Sequence, residues 1–108
     1  YLTKQFVLSY GIPTEYKLEQ NFPNPFNPTT KIRYSIPNVA LRQAKGDNFT
    51  TLKIYDILGN EVTTLVNEQK EPGYYEVDFN ASQFASGVYV YRLQSGSYVS
   101  SKKMLMIK

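Results

Sequence analysis

About seven short runs of alternating apolar and polar residues, turn signals roughly every eight to twelve residues, and no sustained helical period predict an all-β protein. The arrangement they point to is an antiparallel, immunoglobulin-like β-sandwich of about seven strands, with a barrel as the alternative. Ten Tyr and six Phe among 108 residues agree with this, because aromatic side chains favour pleated, half-buried surfaces. The paired Cys and buried Trp of antibody domains are absent, so the expectation rests on strand number and spacing. The length suits one domain with a modest core.

Residues 1–15 (Y-L-T-K-Q-F-V-L-S-Y-G-I-P-T-E) carry a short apolar patch and then the breakers Gly11 and Pro13. They read as a linker from an upstream domain or as a first edge strand. The sequence opens on Tyr rather than Met, which reads as a piece of a longer protein. Residues 21–30 (N-F-P-N-P-F-N-P-T-T) are rigid and apolar, with prolines at 23, 25 and 28. From Thr30 the alternation sharpens: Ile32, Tyr34 and Ile36 share one face, Lys31, Arg33 and Ser35 the other, and Pro37 ends the strand. Residues 38–48 lack alternation and read as a long loop. A strand over 50–56 leads through Ile57, Leu58, Gly59 and Asn60 into a second over 61–66, a hairpin with Gly59 free to take positive φ.

Residues 68–73 read as a turn. Tyr75, Val77 and Phe79 then face inward and Glu76 and Asp78 outward. Residues 80–87 bend into V-Y-V-Y-R-L-Q-S (88–95), apolar on both faces at first, as a central strand is. Gly96 and Ser97 suit a two-residue type II′ turn, and the last strand covers 98–107.

The composition narrows the chemistry. Without Cys or His there is no thiolate nucleophile, imidazole base or sulfur and nitrogen set for zinc or copper. Carboxylates, hydroxyls, Lys and Tyr remain, and a carboxylate pair such as Glu76 and Asp78 sits on the solvent side of its strand with no pocket implied, so no catalytic residue, cofactor or metal is expected. The net charge of +3 is dispersed, its densest pair being Lys102 and Lys103, and no nucleic-acid footprint is evident. No apolar run is long enough to insert into a bilayer, and nothing near Tyr1 is ordered like a signal peptide. Asp56, Asn60, Glu61, Asp78 and Asn80 are the oxygen ligands available for calcium, but turn chemistry explains them better.

Four blocks stand in order: Y-K-L-E-Q-N-F-P-N-P-F-N-P-T-T-K-I-R-Y-S-I-P (16–37), L-K-I-Y-D-I-L-G-N-E-V-T-T-L-V-N (52–67), A-S-G-V-Y-V-Y-R-L (85–93) and K-K-M-L-M-I-K (102–108). Together they resemble the type A C-terminal sorting domain of proteins exported by the type IX secretion system of Bacteroidetes-like bacteria. A related likeness is to the immunoglobulin-like domain of flagellar hook-capping proteins. The resemblance implies a sorting domain over 16–108 behind a linker from its cargo. It implies passage via the periplasm and across the outer membrane to the cell surface or medium. Its partners would be the type IX translocon, a sortase-like surface protease that removes the tail, and the upstream cargo domain. Recognition candidates on these blocks are Pro23, Asn24, Pro25, Phe26, Asn27, Pro28, Gly87, Tyr89, Lys102, Lys103, Met104, Leu105, Met106, Ile107 and Lys108.

Two of these motifs also have plain structural readings. In 21–28, Phe22 and Phe26 would plug an open end of the sandwich, the Asn side chains would form Asx turns, and the prolines would block edge pairing. In 102–108, Met104 and Met106 belong to the core, while Leu105 and Ile107 lie opposite and call for a partner at the strand's edge or on its face. Tyr89 and Tyr91 suit the core or a tyrosine corner. The alternatives to a sorting tail are a carbohydrate or adhesion module, for which Tyr55 and Tyr74 are the exposed aromatics, and a hook-cap-like structural module.

Overall fold

The computed structural model describes residues 12–38 and 49–108. Most of residues 1–15 and of the expected loop at 38–48 therefore lie outside the described residues. Seven strands follow one another: β1 (Lys17–Leu18), β2 (Thr29–Ile36), β3 (Phe49–Tyr55), β4 (Glu61–Gln69), β5 (Gly73–Asn80), β6 (Gly87–Ser95) and β7 (Tyr98–Met106). They form two antiparallel sheets, β1-β2-β5 and β4-β3-β6-β7. This is a sandwich rather than a barrel.

Side-chain alternation places the core between the sheets. Ile32, Tyr34 and Ile36 of β2 face Leu52 and Ile54 of β3, Tyr91 and Leu93 of β6, and Met104 and Met106 of β7 in one buried cluster. Tyr75, Val77 and Phe79 take the inner side of β5, as the period-2 pattern requires. Outward on the same sheet, Lys31 meets Asp78 at 2.8 Å and Arg33 meets Glu76 at 2.7 Å across the β2–β5 ladder. The favourable carboxylates raise the affinity of Lys31 and Arg33 for their protons.

Turns follow the local chemistry. Gly59 takes a φ of 91°, and the Asp56 carboxylate accepts from the backbone N–H of Leu58 and of Asn60, both at 2.9 Å. Gly96 sits at φ 58° and Ser97 is not in the positive region, which is the type II′ pattern. Two expectations change. The turn placed at 68–73 is shorter, because Glu68 and Gln69 extend β4 by pairing with Thr50 and Phe49. Ser35, expected outward in water, is buried beneath the β1 segment, where its hydroxyl donates to the Glu15 carbonyl.

The N-terminal segment changes sheets. It starts antiparallel to β2, through Lys17 and Leu18, the Glu19 N–H to the Arg33 carbonyl at 3.0 Å, and a bridge between Phe22 and Lys31. Beyond Pro25 it runs parallel to β7, with Phe26 opposite Met106. A strand that passes between sheets at a bend closes a sandwich corner. The peptide bonds before Pro23, Pro25 and Pro28 are cis.

Candidate recognition site

The proline-rich segment and the terminal strand form one structure. The Phe26 N–H donates to the Leu105 carbonyl at 3.0 Å, and the Ile107 N–H donates to the Phe26 carbonyl at 2.9 Å. Asn24 adds a side-chain acceptor to the Leu105 N–H at 2.9 Å, and the Gln20 side chain donates to the Lys103 carbonyl at 2.7 Å. These bonds occupy the outer edge of β7, which would otherwise present unpaired backbone groups. Edge addition by a partner, one of the two modes expected for the terminal strand, is therefore closed around Leu105. The Asx-turn role expected of Asn24 is likewise replaced by this reach across 81 residues of sequence.

Phe22 and Phe26 do not share a role. Phe26 is 2% exposed, its ring 6.0 Å from that of Phe79, which is 6.0 Å from Phe84, itself 6.4 Å from Tyr89. This aromatic row closes one end of the sandwich. Phe22, at 78% exposure, points to solvent, so the expectation that both rings plug the fold holds for one only. Pro23 and Pro25 flank Asn24, which bonds to β7, and Phe26 follows directly, so the proline-rich segment itself covers the β7 edge.

A buried polar lattice holds the segment. The Tyr91 hydroxyl donates to the Glu19 carbonyl at 2.6 Å and accepts from the Asn21 N–H at 2.8 Å. The Asn21 side chain donates to the Thr30 hydroxyl and to the Pro23 carbonyl, and the Thr30 hydroxyl donates to that same carbonyl. Burial raises the Tyr91 hydroxyl to about 12, although the Asn21 N–H pulls it the other way. Asn21, Thr30 and Tyr91 were not among the sequence candidates. A buried Asn followed nine residues later by a buried Thr carries no periodic signal, and Tyr91 reads as core or as a tyrosine corner.

The remaining candidates fall as follows. Tyr89 is buried and its hydroxyl donates to the Ala85 carbonyl, four residues upstream, at 2.6 Å, the corner geometry expected of a Tyr at the start of this strand. Gly87 opens β6 opposite Met106. Pro28 passes its carbonyl to the Ala81 N–H, while Pro23, Pro25 and Asn27 are exposed. Met104 and Met106 are buried, and Lys103, Leu105, Ile107 and Lys108 are exposed, with Lys102 between. The Lys108 N–H donates to the Ser86 hydroxyl.

Other chemistry is thin. Among the described residues no group of three or more acidic residues is placed to hold a metal, and the Asn80 side chain accepts from the Ser82 N–H as a turn residue. No described helix is long and apolar enough to cross a membrane. Tyr74 and Tyr55 lie on the outer faces of different sheets and so build no common aromatic platform. A cavity of about 360 Å³ between β4 and the β5–β6 connection is lined by Thr63, Leu65, Phe79, Asn80, Ser82, Gln83 and Phe84, with no ionisable group.

The fold and site define a small β-sandwich whose own proline-rich segment is strapped along its final strand. Residues 20–108 match the family described as secretion system C-terminal sorting domain. The match spans most of the chain, and the chain belongs to this family, the sorting domains of type IX secretion. A search of curated proteins found no match.

Proposed function

We propose that this domain directs a cargo protein, joined to it through residues 1–15, across the outer membrane by way of the type IX translocon. A sortase-like surface protease then removes it and leaves the cargo secreted or on the cell surface. Membership of the sorting family supports the reading. The observation that carries it furthest is the union of sequence blocks lying far apart: residues 19–26 are bonded both to Tyr91 and to residues 103–107. The domain acts as a folded substrate of export machinery, with recognition rather than catalysis as its chemistry.

The test is to fuse the 108-residue chain to a periplasmic reporter in a type IX-competent bacterium. The reporter is expected at the surface or in the medium, and retention in the periplasm sinks the reading. Removing residues 102–108 is a poor substitute for this test. Met104 and Met106 lie in the core, so lost export would report lost folding.

A further inference from the structure

A partner can use a terminal β-strand through its edge or its face. Around Leu105 the edge of β7 is taken by Asn24 and Phe26, and the face remains. Cross-strand register lays out that face: Tyr55 lies beside Val90 and Val90 beside Lys103, with Val88 beside Leu105 in the next row. At the hairpin tip that follows Tyr55, Ile57 is 75% and Leu58 83% exposed. Val88 and Leu105, each a little over a third exposed, with half-buried Val90 and Tyr55 give this face an apolar row beside the exposed β3–β4 tip, the kind of clustered apolar surface that marks a docking site.

Charge separates this face from the opposite one. Across the outer face of β2 and β5, Lys31 and Arg33 are matched by Asp78 and Glu76. Across the outer face of the four-stranded sheet, Lys53, Arg92 and Lys103 border the apolar row. Glu61 pairs with Lys53 at 3.5 Å, and neither Arg92 nor Lys103 forms an ion pair with a described residue. Cations with no carboxylate partner among the described residues, beside exposed apolar side chains, fit an acidic surface with an apolar centre.

We infer that the outer face of the β4-β3-β6-β7 sheet docks onto an acidic, apolar-centred protein surface, through Val88, Val90 and Leu105 with Arg92 and Lys103. The inference rests on the sorting reading and names the face of the domain that the export machinery would engage. Edge-strand pairing plays no part in it.

Three reporter fusions of the full chain test it: Arg92→Gln with Lys103→Gln, Val88→Thr with Leu105→Thr, and, as a matched control on the other sheet, Lys31→Gln with Arg33→Gln. Thermal melts of the same chains report folding, and the exposed charge changes on β6 and β7 leave the core intact. Export is expected to fall by about tenfold or more for the first two and to stay within about twofold for the control. Wild-type export with undiminished export of the folded variants overturns the docking face and leaves the sorting reading standing. Periplasmic retention of the wild-type fusion overturns both. Flotation with vesicles of anionic phospholipid supplies the last arm: no binding is expected, and wild-type binding lost in step with export would replace the protein partner by a lipid surface.

Discussion

At the level of single residues, the two phenylalanines of the proline-rich segment separate packing from exposure. Phe26 closes an aromatic row, and its truncation is expected to destabilise the domain by about 3–5 kcal/mol in urea unfolding. Phe22→Ala should change stability by no more than about 0.5 kcal/mol in the same measurement, because its ring contacts water. Equal effects at the two positions would contradict the structure. Tyr91→Phe keeps the ring and removes the hydroxyl that serves Glu19 and Asn21. It is expected to cost about 1–3 kcal/mol, since Asn21 N–H is then buried without a partner. The sequence distinguishes none of these roles. Phe22 and Phe26 have nearly the same neighbours, and what differs is which one lies opposite Met106.

Strands and turns were more legible. β2, β5 and β7 show period 2 because each buries one face, and side-chain alternation is then written directly into residue type. Gly59 and Gly96 marked their turns because each turn needs a backbone conformation that other residues resist. The sheet change at the prolines was hidden, since its partner is Leu105, 81 residues beyond Asn24, and no local period encodes it. The β3–β4 hairpin gives a pH test. Hydrogen bonds from the Asn60 backbone, foremost, hold the Asp56 carboxyl below its ordinary 3.8. A depressed carboxylate stabilises the turn fully above that value and loses its contribution as pH falls through the lower, folded one. The Leu58 and Asn60 amide signals are therefore expected to move together in an NMR titration below about pH 4. Signals that stay fixed there would remove Asp56 from the turn.

For the molecule as a whole, buried hydroxyls set an alkaline limit. Tyr91 is raised from 10.0 to about 12 and burial also raises Tyr34, so folding favours their neutral forms. Their contribution is complete below pH 10 and is lost as pH rises through the folded values. Denaturant midpoints are expected to fall between pH 10 and 12, and Tyr91→Phe should flatten that fall. The division into two faces also belongs to this scale. Apolar residues on both faces at the start of 88–95, and Leu105 and Ile107 opposite Met104 and Met106, show in the sequence that two apolar faces exist, but only the register places Val88 beside Leu105 and Val90 beside Lys103.

The strap along β7 also fixes how the domain would carry tension. Load arriving from the N-terminal side meets the pairing of Leu18 and Glu19 with β2 and then the bonds of Asn21 to Tyr91 and of Phe26 to β7. Load between that side and residue 107 crosses the contact of Phe26 with Leu105 and Ile107. In a single-molecule pulling experiment, Asn24→Ala should lower the rupture force while leaving the interior packing alone. Release of the strap under such a load would bare the edge of the final strand, the edge that Asn24 and Phe26 now occupy.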